Sequence, residues 1–211
     1  MKIVIFGATG GTGQELVKQA LAAGEDVTAF ARDPSKLALG SAVHVAPGDA
    51  LDPVAVGKAI SGQDAVISAL GPRSLNDSVL LPRSMTHILA GMKEHSVRRL
   101  IVLGASGTMP NAAERLTPVK RGLFRLVKAT LLRKPFESQT AMQAMVRASS
   151  TEWTIVQPPR LLNSPGKGRY RVHGEALPAN GAVIPRADLA KFMLAQLTSA
   201  EWVRRDVYVA S

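Results

Sequence analysis

The stretch Lys2 to Gly13, KIVIFGATGGTG, decides the fold. An apolar run, Ile3 to Phe6, gives way to Gly7, Gly10 and Gly13 at intervals of three, and a segment of helical period, 11–23, follows at once. Strand, glycine turn and helix in immediate succession open a βαβ unit. Gly7 permits the tight turn out of the strand. Gly10 lets the backbone approach a pyrophosphate with no Cβ in the way, and Gly13 lets the helix lie against the sheet. The unpaired N–H groups and positive dipole end of that helix then face the anion. The loop lacks the Lys-Ser/Thr ending of a nucleoside-triphosphate loop, which disfavours ATP or GTP hydrolysis.

Beyond this unit, β-branched runs alternate with helical periods. Strands are expected at 26–31, 43–46, 64–70, 99–103, 152–157 and 206–209, and helices at 52–61, 78–95, 136–149 and 186–199. Several strands are apolar almost throughout, as strands covered on both faces should be. Asp52-Pro53 forms an N-cap and first-turn pair, and Gly24 is a stop for the first helix. The pattern predicts a single α/β domain over 1–211, a Rossmann-type, doubly wound, mostly parallel sheet in three layers. The Gly/Pro-rich stretch 158–185 follows the sixth strand. It is expected beyond the strand ends, as a small substrate-side loop region.

The second strand ends Phe30-Ala31-Arg32. An NAD-selective site places Asp or Glu there for the ribose hydroxyls, whereas a 2′-phosphate calls for a cation. Arg32 can fork onto a phosphate and Lys36 adds charge from the same turn, so NADP(H) is favoured over NAD(H). Asp33 argues the other way, since it can cap the following turn or meet a ribose itself.

The 211 residues contain no Cys, and the four His (His44, His87, His95, His173) lack ligand spacing, so no metal site and no thiolate nucleophile is expected. The first apolar run is too short for a signal peptide, and no stretch approaches the roughly 20 apolar residues of a membrane span; a cytoplasmic location is the expectation. The net charge of +10 draws the protein toward anions. It is concentrated in 115–134, which holds seven cations and no acid and reads as a basic amphipathic helix. Its alternatives are a solvated helix face, a lid attracting an anionic substrate, and contact with a membrane surface. Nucleic acid is not expected as a partner, because no recognised module or run of stacking aromatics accompanies the charge.

GATGGTG at 7–13, ARDPSKL at 31–37, GDALD at 48–52, DAVISALGPR at 64–73, the Ser106 loop, EWTIVQPPR at 152–160 and IPRADLAKFML at 184–194 together resemble the atypical short-chain dehydrogenase/reductase superfamily. Within it the chain resembles the NmrA-like NAD(P)-binding proteins, nearest the biliverdin-IXβ/flavin reductase group. The resemblance implies that Gly7, Thr9, Gly10, Gly11, Thr12 and Gly13 hold the pyrophosphate and that Arg32 with Lys36 holds the 2′-phosphate. It implies Asp49 and Ala50 along the adenine, Leu70, Gly71 and Arg73 along the ribose and diphosphate, and Ser106, Pro158 and Pro159 around the nicotinamide. Asp188 reads as a first-turn residue favoured by the helix dipole rather than as a catalyst.

Classical members carry a Tyr-x-x-x-Lys pair on the helix before strand six, where the lysine lowers the tyrosine pKa for acid catalysis. Here that helix reads PFESQTAMQAMVRAS, with Pro135 or Phe136 and Gln139 near the pair's places, and the only tyrosines are Tyr170 and Tyr208. The flavin-reductase group also dispenses with the pair. The function implied is NADPH-dependent reduction of a flavin, quinone or similar conjugated acceptor, with Ser106 the candidate polar contact at the reacting centre. The alternative is a non-enzymatic NADP(H) sensor of the regulatory NmrA-like kind.

Overall fold

The computed structural model describes residues 1–37, 43–108 and 132–211. Its main sheet has eight strands: β1 (Lys2–Phe6), β2 (Asp26–Ala31), β3 (His44–Pro47), β4 (Ala65–Ser68), β5 (Arg99–Leu103), β6 (Glu152–Gln157), β8 (Arg171–His173) and β10 (Arg205–Ala210). They lie in the order β3-β2-β1-β4-β5-β6-β10-β8, all parallel except β8, which runs antiparallel to β10. A separate parallel pair joins β7 (Arg160–Leu162) to β9 (Val183–Pro185).

Side-chain alternation sets the three layers. Ile3 and Ile5 of β1, Val27 and Ala29 of β2 and Ile67 of β4 face α1 (Gly11–Ala22) and α5 (Arg186–Ala195). Val4, Phe6, Phe30 and Val66 face the other way, toward α2 (Pro53–Ile60), α3 (Leu80–Glu94) and α4 (Arg133–Ala148). Strands β1, β2 and β4 are therefore covered on both sides, as their apolar sequences require. This is the doubly wound Rossmann-type domain expected.

The differences from expectation have local causes. Helix α3 starts at Leu80 rather than 78, behind a turn in which the Asp77 carboxylate accepts from the N–H groups of Val79 and Leu80 at 3.1 and 3.0 Å. Helix α4 begins at Arg133, three residues before the expected 136, with Arg133 and Glu137 paired at 2.8 Å one turn apart. Helix α5 stops at Ala195 instead of 199, where the Arg99 guanidinium takes the Gln196 carbonyl. The stretch 158–185, expected as loop, contains β7, β8 and β9. Residues 115–131 of the basic segment lie outside the described residues, and Arg133 and Lys134 belong to the first turn of α4. Among the described residues no helix is long and apolar enough to cross a membrane.

Candidate functional site

The sheet order reverses between β1 and β4, and a doubly wound sheet opens its ligand crevice at the carboxyl ends of such strands. There Gly7 sits at φ 80°, and a Cβ on it would fall 2.7 Å from the Ala69 carbonyl carbon and 2.9 Å from Leu70 N. The residues after β1 and β4 are thus in direct contact, and only glycine fits. Helix α1 then rises from Gly10, its N-cap, with no side-chain cap and no acid in its first turn. Among the described residues, no side chain caps the leading N–H groups of α1, which suits a bound anion.

A cleft of ≈ 240 Å³ opens beside this turn, lined by Gly7, Thr9, Gly10, Arg32, Ala50, Leu70, Gly71 and Arg73 from the expected set. Phe30, Gly48 and Leu80 also line it and escaped the sequence reading. The Phe30 ring, tilted 46° against that of Phe6 with centroids 4.7 Å apart, gives the cleft an apolar wall. Asp49 stands over the cleft through a two-oxygen contact with Arg73 Nη2, at 2.8 and 2.9 Å. Lys36 is turned to Asp33 at 3.6 Å, and Asp33 accepts from Ser35, capping the short turn after β2. Arg32 has no ion-pair partner among the described residues and remains at the strand end over the cleft.

Burial alone would raise the Asp49 carboxyl. The Leu51 N–H and the Arg73 guanidinium outweigh that and hold it below the ordinary carboxylate range. Asp77 likewise resists burial through the N–H groups of Leu80, Arg73 and Val79, and it too is held low. Both folded values lie below the unfolded one. Their stabilisation is therefore present above about pH 4, the unfolded carboxylate value, and is lost as the pH falls through the depressed folded values. Melting curves recorded from ~pH 6 down to ~pH 2 are expected to show this loss in the wild type and a shallower one in Asp49→Asn. Equal slopes in both proteins would remove Asp49 from the acid response.

The second half of the site lies after β5 and β6. Ser106 is buried in a 3-10 turn, Ser106–Thr108, and its N–H donates to the Pro158 carbonyl at 3.1 Å. Ser106, Pro158 and Pro159 are thereby brought together. Helix α4 faces this turn with amides: Gln143 Nε2 lies 3.4 Å from Thr108 Oγ1 and 3.5 Å from Gln139 Oε1. Behind them Gln157 Nε2 donates to Gln143 Oε1 and to Asp206 Oδ1, both at 2.8 Å, and Arg147 donates to Asp206 at 2.7 and 2.9 Å. Gln143, Gln157, Arg147 and Asp206 escaped the sequence reading, because they come from three elements and form no motif.

The two tyrosines stand elsewhere. Tyr170 packs edge-on against Phe192, with ring centroids 5.7 Å apart, and Tyr208 is buried in β10; burial pushes both phenols upward. Asp188 is buried in the first turn of α5 and accepts from the N–H groups of Lys167 and Gly168 at 2.9 Å each. It pins the substrate-side region to the helix. A larger open cavity, ≈ 610 Å³, lies between Trp153, Trp202 and Tyr208. It opens around the starting ends of β6 and β10, opposite the carboxyl-end edge where sheets of this kind bind ligands.

A family model described as NAD(P)H-binding matches residues 7–200. Among curated proteins, the uncharacterized protein YwnB of Bacillus subtilis is 28% identical over 213 residues, covering 95% of this chain and 94% of the relative. The oxidoreductase ylbE of Lactococcus lactis superposes with a TM-score of 0.81 at 18% identity, over 100% of this chain and 91% of that one. A short-chain dehydrogenase/reductase of Veillonella parvula, solved in complex with NADP, gives 0.79 at 21% identity over 99% and 94%. SP1627 of Streptococcus pneumoniae, designated a candidate NADH-flavin reductase, gives 0.79 at 21% over 100% and 99%. At these identities the solved structures establish the shared fold.

Proposed function

The chain belongs to the NAD(P)H-binding family, as its resemblance to the atypical, NmrA-like short-chain dehydrogenase/reductases implies, and from that premise we propose that it is an NADP(H)-dependent reductase of a flavin, a quinone or a similar conjugated acceptor. The cofactor supplies the hydride. The observation that carries the reading is the face of α4 toward the Ser106 turn, which offers the amides of Gln139 and Gln143 from a helix that contains no tyrosine. An amide orients a partner but gives up no proton near neutral pH. The protein then contributes placement: the glycine loop holds the pyrophosphate, Arg32 the 2′-phosphate, and Ser106 with Pro158 and Pro159 the wall at the nicotinamide. Such a site suits an acceptor whose own conjugation takes up the electron pair, with the proton drawn from solvent.

The flavin-reductase designation of SP1627 points the same way. In this role the substrate is small, conjugated and of a charge compatible with a basic protein, and the site works in the cytoplasm, where NADPH is available. The test is the absorbance of NADPH with the purified protein and riboflavin, FMN, a benzoquinone or biliverdin in turn. Acceptor-dependent oxidation above the uncatalysed rate is the expected result. Tight NADPH binding with no oxidation by any of them would overturn the reductase and leave the sensor.

A further inference from the structure

Arg186 opens α5 directly behind Pro185, and it lies against the glycine loop from the far end of the sequence. A Cβ on Gly11 would come within 2.9 Å of Arg186 Nε and 3.0 Å of its Cδ, so the guanidinium rests on the space a side chain at position 11 would occupy. Its Nη1 donates to Thr12 Oγ1 at 3.0 Å and its Nε to Asn163 Oδ1 at 2.8 Å. Both partners are neutral oxygens. Among the described residues no carboxylate lies within ion-pair distance of it, and Nη2 makes no hydrogen bond.

That arrangement sets a full positive charge beside the positive end of a helix. The two repel, and the helix terminus brings neither an acidic first-turn residue nor a side-chain cap to offset it. An anion between them turns both terms favourable, because the loop's N–H groups and the guanidinium then converge on it. We propose that Arg186 is a further ligand of the cofactor's pyrophosphate, steered by Asn163 and admitted to the loop by the bare Cα of Gly11. The proposal rests on the dinucleotide reading above. It gives Asn163, just after β7, a part in cofactor binding, and it makes the substrate-side region 158–185 and the nucleotide loop share one phosphate.

The pyrophosphate is common to NADH and NADPH, whereas the 2′-phosphate is not, and the test uses this difference. Fluorescence titrations of both reduced cofactors are made with the wild type, Arg186→Gln, Arg186→Lys and Asn163→Ala, with a melting curve of each protein as the control for folding. Arg186→Gln is expected to weaken both cofactors by the same factor, about tenfold or more for a lost charge-assisted contact. Arg186→Lys should recover part of the affinity, and Asn163→Ala should lower both affinities by a smaller common factor, which keeps the test open if Arg186→Gln does not fold. Unchanged affinities in Arg186→Gln and Asn163→Ala overturn the proposal. A loss confined to NADPH overturns it too, by moving the arginine to the 2′-phosphate. A wild type that binds neither cofactor fails at the dinucleotide reading itself and takes the proposal with it.

Discussion

Gly13→Ala is expected to abolish dinucleotide binding and to lower the melting temperature sharply. A Cβ at position 13 would stand 2.0 Å from the Gly7 carbonyl oxygen and 2.8 Å from Ala8 Cα. Those are backbone atoms of the strand-to-helix turn, so no side chain can rotate away. Relief requires α1 to lift from the sheet, but Leu16, Val17 and Ala20 of α1 are fully buried against it. The cost therefore exceeds the roughly 1–3 kcal/mol usual for an extra methyl in a packed core. Gly10→Ala is the informative contrast, since its Cβ would meet only the Gly7 oxygen, at 3.3 Å. It should fold while still weakening the approach of a pyrophosphate. Calorimetry and an NADPH titration on the two variants check both statements, and a Gly13→Ala protein with wild-type melting and affinity would contradict the packing of α1.

The second large effect is on stability alone. Arg99 is buried at the start of β5 and carries no ion pair with a carboxylate among the described residues. It donates from Nε to the Gln196 carbonyl at 2.9 Å, from Nη2 to the same carbonyl at 2.5 Å and to Thr154 Oγ1 at 2.9 Å, and from Nη1 to the Glu152 carbonyl at 2.5 Å. One side chain thus closes the C-terminus of α5 and joins it to β6. Burial lowers its pKa, yet the guanidinium stays charged at neutral pH. Arg99→Ala leaves carbonyls without their partner and opens a cavity, for an expected loss of about 2–4 kcal/mol. In a domain of this size each kcal/mol is worth about 2–4 °C of melting temperature. Urea denaturation measures it directly; a midpoint unchanged from the wild type would show that Arg99 adds nothing. NADPH affinity should hold in the folded fraction, because Arg99 lies at the opposite end of its strand from the cleft.

The parts of the fold legible in the sequence are those whose signal is local. Ala65 to Ser68 are buried at every position, and such strands announce themselves as unbroken apolar runs. The strand at Arg171–His173 has three exposed residues and exists only because β10, more than thirty residues on, offers it an edge. Nothing in its own composition marks it. The site divides the same way. The glycine loop and Arg32 sit within one βαβ unit and could be read from spacing. The Asp49–Arg73 pair, the Arg186–Thr12 contact and the chain from Gln143 through Gln157 to Asp206 join residues from distant elements. These contacts follow from the strand order, which periodicity does not encode.

The most direct test of the cofactor assignment is a parallel titration of NADPH and NADH, wild type beside Arg32→Ala. Tighter binding of NADPH by the wild type, reduced about tenfold or more in Arg32→Ala with NADH unaffected, is the result expected for a guanidinium on the 2′-phosphate. Equal affinity for the two cofactors in both proteins would contradict the NADP(H) preference, and no binding of either would contradict the site itself.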